Sequence, residues 1–306
     1  MTATLDANTT ALPAVRAAED GYSWRSRSLL YSVFPLCVIC SVFVLNTLRI
    51  DENRNPFQDE GLYLFMGHRM IDHVLSGVQV TEYPGSYFSG APGLYPVVGA
   101  LADSVGGVSA ARLLSLSFVC VAVIATYGIG KELFGNFSGL LGAGVFALCG
   151  SVMFIAQLAT LDAMALCLMA LGCWLTLYSA NHDKLLWAPI VALILTLAFL
   201  TKYATAVYVP GIAALGILLS WHHIRWGALR RGLLIMTATS AAVFFILTFW
   251  ANDLKRGIIS TTAHRSPLSP SPREELVFYV VQWVGPWLLL APVSYTHLTL
   301  PTNREV

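Results

Sequence analysis

From Ser138 to Ala180 the chain runs for 43 residues with Asp162 as its one charged residue. A continuous helix of that length would measure about 64 Å, twice the hydrocarbon thickness of a bilayer. The segment must therefore fold back, and the polar cluster Gln157, Thr160 and Asp162 marks the corner. Leu186 to Ser220 poses the same problem: its 35 residues would extend about 52 Å, and Thr201-Lys202 is its only strongly polar break. A chain patterned in this way is expected to be an all-α, polytopic transmembrane helix bundle.

Composition agrees. Of 306 residues, 56% are apolar and 11% are charged, against about 25% charged in a soluble domain. The 18 basic and 17 acidic residues nearly cancel, so no nucleic-acid partner is implied. Apolar runs fall at about 29–48, 108–130, 138–157, 163–180, 186–200, 203–220, 232–251 and 276–292, which gives about eight spans. Residues 1–28 form a polar tail with Arg16, Arg25 and Arg27 ahead of the first run, which reads as an uncleaved span. With this parity the basic segment Trp221 to Arg231 shares a side with that tail, and the positive-inside tendency makes that side cytoplasmic. The expected home is the plasma membrane.

The spanning region is expected to occupy 29–292, as the N-terminal part of a longer, C-terminally truncated protein. The stretch Val293-Ser-Tyr-Thr-His-Leu-Thr-Leu-Pro-Thr-Asn303 resembles one translated frame of a sequencing-library adapter, so 293–306 is expected not to be native sequence. All six cysteines lie in apolar runs, where a free thiol behaves as a small hydrophobe. Cys37 and Cys40 form a C-x-x-C, but the βαβ context of a redox motif is missing.

With eight spans, loop 49–107, the corner 157–162, the break 201–202 and loop 252–275 all open on the outer face. In loop 49–107, Gly61 to Leu75 reads as an interfacial amphipathic helix with Leu62, Phe65, Met66, Met70 and Val74 on its apolar face. Pro92 to Ala102 is apolar but too short to span, and reads as interfacial or re-entrant. Glycines 139, 142, 144 and 150 suit close helix packing.

Ionisable residues at the edge of lipid are functional candidates. Asp59-Glu60 reads either as an N-cap with an acid in the first turn or as a general base at the membrane surface. Asp162 follows Thr160, which can cap the span; its carboxylate can also orient an acceptor or hold a cation. Lys202 lies between apolar spans, either snorkelling or facing an anion such as a lipid phosphate. Glu82 reads as a loop acid, His264 and Arg265 as solvated loop groups, and Arg112 as a snorkelling residue. His68, Asp72 and His73 fit the polar face of an interfacial helix better than a metal site.

Taken in order, these motifs resemble the polyprenyl-phosphate-sugar-dependent glycosyltransferases of family 39, which include protein O-mannosyltransferases and aminoarabinose transferases. The matching elements are Asp59-Glu60 with Tyr63, Ala111-Arg-Leu-Leu114, Leu133-Phe-Gly135, Ala159-Thr-Leu-Asp162, Phe199-Leu-Thr-Lys202, His264-Arg265, Phe278-Tyr279 and Gly285-Pro-Trp287. The resemblance implies a GT-C fold and inverting transfer of a sugar from a polyprenyl-phosphate carrier to a hydroxyl at the outer face. The acceptor would be a protein, glycan or lipid. Asp59, paired with Glu60, would be the catalytic base, and Lys202 with His264 and Arg265 would face the carrier phosphate. Glu82 and Asp162 would line the pocket. Several relatives carry Lys after the glutamate, where Tyr83 stands here. No cofactor follows with certainty: a divalent cation would take Asp59 and Asp162 as ligands, and the lipid-linked sugar is a co-substrate. The rival reading, a transporter or lipid flippase, calls for broken helices near the midplane and paired repeats.

Overall fold

The computed structural model describes residues 32–48, 56–77, 93–221, 225–250, 252–263, 272–275, 277–279 and 281–282, all helix, turn or short connection with no strand among them. The chain divides into two compact units, Met1–Thr261 and Thr262–Val306. The second contributes short helical turns at 273–275 and 277–279.

The first unit contains α1 (Ser32–Leu48), α2 (Gln58–Ser76), α3 (Leu94–Phe134), α4 (Asn136–Ala147), α5 (Gly150–Gln157), α6 (Leu161–Asn181) and α7 (Trp187–Thr201). A 3-10 turn, Tyr203–Tyr208, leads into α8 (Val209–Ser220). Then come α9 (Arg225–Phe245), a π turn (Ile246–Trp250) and α10 (Asn252–Ala263), which reaches the unit boundary. By length and apolarity, Leu94–Phe134, Leu161–Asn181, Tyr203–Ser220 and Arg225–Phe249 can cross a bilayer. The pair α4 and α5, bent by 63°, makes a fifth if taken together, and α1 and α7 are shorter apolar helices. The run expected at 276–292 lies mostly outside the described residues.

Helix α3 unites two segments that the sequence separates. Its helical path is interrupted at Gly106 and Gly107, and Gly107 has φ 68° and ψ −168°, a conformation closed to residues with a Cβ. The break divides a leading piece, packed on α2, from the apolar rod that follows. At the α2 crossing, a Cβ on Gly67 would lie 1.9 Å from the Pro96 carbonyl oxygen. Only glycine permits that approach.

The buried face of α2 runs through Glu60, Leu64 and Gly67, with Met66 also buried, while Phe65 and Val74 are exposed. Of the apolar stripe expected through Leu62, Phe65, Met66, Met70 and Val74, Leu62, Met66 and Met70 pack together, while Phe65 and Val74 stay exposed and the inward face also takes in Glu60. Of the four glycines expected to pack helices, Gly139 abuts the Tyr127 backbone and Gly144 touches Ile39, but Gly142 and Gly150 meet no atom within 4 Å of a notional Cβ.

Two cores result. Phe43, Val119, Val123, Ala143 and Val152 join α1, α3, α4 and α5. Val191, Leu195, Ile212 and Ile235 join α7, α8 and α9. Polar bonds gather at the two ends of the bundle. At one end Ser32 and Tyr127 both donate to Asn136 Oδ1, and Asn181 donates to Glu132. There, too, buried Arg231 reaches Asp183 at 2.6 Å and Ser220 at 3.2 Å. From Glu132 back to Arg112 the α3 axis rises about 30 Å, and at that other end the candidate site is assembled. The hairpins at 157–162 and 201–202 both turn there, as the fold-back arithmetic requires.

Candidate active site

Helix α2 begins after Phe57, whose φ −63° and ψ 153° are extended. Asp59 and Glu60 occupy its first turn, where acids complement the exposed amides. Asp59 is thus not the N-cap that one reading gave it. Its side chain is exposed to solvent.

Glu60 behaves in the opposite way. It is fully buried, and each of its oxygens accepts two hydrogen bonds. Oε1 takes Arg112 Nε at 2.9 Å and the Ala159 amide at 2.7 Å. Oε2 takes an Arg112 Nη2 donor at 2.9 Å and the Phe57 amide at 2.7 Å. Burial alone would push this carboxyl up, but the Arg112 guanidinium and the Ala159 and Phe57 amides outweigh it and hold it below its ordinary value. Arg112 does not snorkel as expected; it is 7% exposed and forms a planar, two-pronged pair with Glu60. A signal existed: Arg112 is the only charge between Asp103 and Lys131, and a guanidinium at that depth needs a carboxylate.

Asp162 sits in the first turn of α6, and Thr160, at the N-cap position, makes no side-chain capping bond. The Asp162 carboxylate instead accepts from the Lys202 ammonium. Lys202 stands in extended backbone between α7 and the 3-10 turn, its amide bonded to the Ala198 carbonyl at 2.9 Å. Both side chains remain about two-fifths exposed. The pair lines a largely apolar, open cavity of about 550 Å³ together with Ala165, Leu166, Met169, Thr205 and Tyr208.

Tyr63, one turn after Asp59, links the two halves. Burial, then the charges of Asp59 and Asp162, push its phenol up to about 12, so both carboxylates act on one hydroxyl. Its ring meets Tyr95 edge-on at 6.4 Å, and Tyr95 in turn bonds Ser115 at 3.0 Å. Sequence reading had used Tyr63 only as a motif letter.

Glu82, His264, Arg265 and Gly285-Pro-Trp287 lie outside the described residues. His68 pairs with Asp103 at 2.7 Å and helps to fasten α2 to α3. Among the described residues no group of three or more His, Cys, Asp or Glu could hold a metal ion. Of the two carboxylates expected as cation ligands, Asp162 faces the Lys202 ammonium.

Residues 97–250, half of the chain, match the family described as dolichyl-phosphate-mannose-protein mannosyltransferase. The chain belongs to that family. No curated protein and no solved structure matches it. Membership makes this a membrane glycosyltransferase of the GT-C type, in a family that uses lipid-linked sugars. The matched segment contains Arg112, Asp162 and Lys202. Asp59 and Glu60 precede it and are bound to it through the Glu60–Arg112 pair.

Proposed function

We propose that this mannosyltransferase-family chain is an inverting glycosyltransferase that moves a sugar from a polyprenyl-phosphate carrier to an acceptor hydroxyl at the outer face of the plasma membrane, with the N-terminus cytoplasmic. The observation that carries the reading is the Asp162–Lys202 pair in the wall of a largely apolar cavity, together with the exposed side chain of Asp59. A prenyl phosphate is half hydrocarbon and half dianion, and this site offers an apolar gap with an ammonium in its wall.

Asp59 takes the proton from the acceptor hydroxyl, whose oxygen forms the new bond to the anomeric carbon on the face opposite the carrier. The bond from that carbon to the phosphate oxygen breaks, and polyprenyl phosphate departs with the electron pair. Lys202, shifting from Asp162 towards the leaving phosphate, offsets charge where it develops. Glu82, His264 and Arg265 belong to the same proposal, as further contacts to donor and acceptor. The placement of ionised groups at helix ends, away from the middle of the spans, supports a transferase over a transporter.

The test uses membranes containing the full-length protein and a panel of radiolabelled polyprenyl-phosphate sugars. Wild type transfers label to an endogenous acceptor, and Asp59→Asn does not while its abundance is unchanged. Transfer retained by Asp59→Asn removes the base assignment.

A further inference from the structure

The Glu60 carboxylate occupies a position that its role as half of a reacting pair does not explain. Both oxygens are saturated, with Arg112 and the Ala159 amide on one and Arg112 and the Phe57 amide on the other. The residue exposes no surface, so no acceptor hydroxyl reaches it. Its partners instead come from three places in the chain: the start of α2, the head of the α3 rod, and the corner between α5 and α6. The Ala159 amide lies three residues before Asp162, just ahead of the first turn of α6. Asp59 is covalently next to Glu60, and Asp162 is tied to Lys202.

We infer that Glu60 and Arg112 are positioning residues, which fix the spacing between Asp59 on α2 and the Asp162–Lys202 pair on α6 and α7. This inference rests on the transferase reading above and adds to it a division of labour between neighbouring acids. Asp59 faces solvent and reacts. Glu60 faces inward and holds Asp59 against the corner that carries Asp162. Without Glu60, the first turn of α2 and the 158–161 corner lose a common anchor, a carboxylate bonded to both. A misplacement of about 1 Å between base and reacting atoms costs roughly 100-fold in rate.

The experiment uses the full-length protein as wild type, Glu60→Gln, and the double variant Glu60→Leu/Arg112→Leu, which removes both buried charges together so that folding survives. Two readouts are taken: transfer kinetics with whichever radiolabelled polyprenyl-phosphate sugar of the panel the wild type turns over, and amide hydrogen exchange over 57–61 and 158–161 with α8 as internal reference. Glu60→Gln and the double variant each lower kcat by about 100-fold, while KM for the lipid donor stays within about threefold because the Lys202 cavity is intact. Exchange quickens in both segments and not in α8.

Wild-type kcat in either variant overturns the inference, as does unchanged exchange at 158–161. So does a raised donor KM at constant kcat, which would mark Glu60 as a binding group. A wild-type protein that moves no sugar from any lipid donor overturns the transferase reading itself; the exchange pattern then still decides whether Glu60 holds the corner.

Discussion

Replacing Arg112 with leucine tests the energetic weight of the polar node most directly. The guanidinium is 8% and the Glu60 side chain 0% exposed, so solvent screening gives little discount. Arg112→Leu leaves a buried carboxylate with only the Phe57 and Ala159 amides for company, and breaking a buried pair in this way costs about 3–5 kcal/mol. Glu60→Leu falls in the same range, because it takes the buried carboxylate from the cation and orphans both amides. The double variant is the informative member of the cycle. It buries no charge, and its main loss is the acceptor for two amides, at about 1–3 kcal/mol each. The two single costs should therefore exceed the cost of the double variant by several kcal/mol. The assay is unfolding in mixed micelles with increasing SDS, followed by tryptophan fluorescence. Single-variant costs that simply add, or an Arg112→Leu cost under about 1 kcal/mol, would refute the claim that the pair is desolvated and two-pronged.

Further outcomes follow from the same geometry. Lys202→Met should raise the KM for a polyprenyl-phosphate donor at least about tenfold while shifting stability by less than about 1 kcal/mol, since its ion pair with Asp162 is largely solvent-screened; donor titration and melting temperature check both halves. Gly67→Ala, whose new methyl would collide with the Pro96 carbonyl, should cost about 1–3 kcal/mol by overpacking, whereas Gly150→Ala, with open space around it, should not destabilise. Because the folded carboxyl of Glu60 lies below its ordinary 4.5, its contribution to stability is complete above that pH and is lost as pH falls through the lower folded value. Melting temperature followed from pH 7 downward should show that acid loss, and Arg112→Leu should move its onset to higher pH, since burial without the guanidinium raises the carboxyl.

Much of this arrangement was written in hydrophobic period and length. The fold-backs at 157–162 and 201–202 follow from comparing helix rise with bilayer thickness, and the interruption at Gly106-Gly107 follows from a segment too short to span joined to one long enough. The meeting of Asp162 with Lys202 follows once both corners fall at the same end. What stayed hidden were facts of rotation and partnership. Which face of α2 turns inward is decided by Glu60, whose polarity argues for solvent until Arg112 is known to wait inside. Gly139 and Gly142 look alike in sequence, yet only the first meets another helix, because three residues are nearly a full turn but not quite. Such choices depend on contacts between residues 52 or 99 positions apart, which local pattern does not encode.

Each rim of the bundle is cinched by a buried guanidinium, Arg112 at one and Arg231 at the other, while side-chain packing holds the helices in between. A staved barrel hooped at top and bottom yields at its waist. The two guanidinium pairs therefore fix the spacing of the helices at both rims and leave the stretch between them to apolar packing.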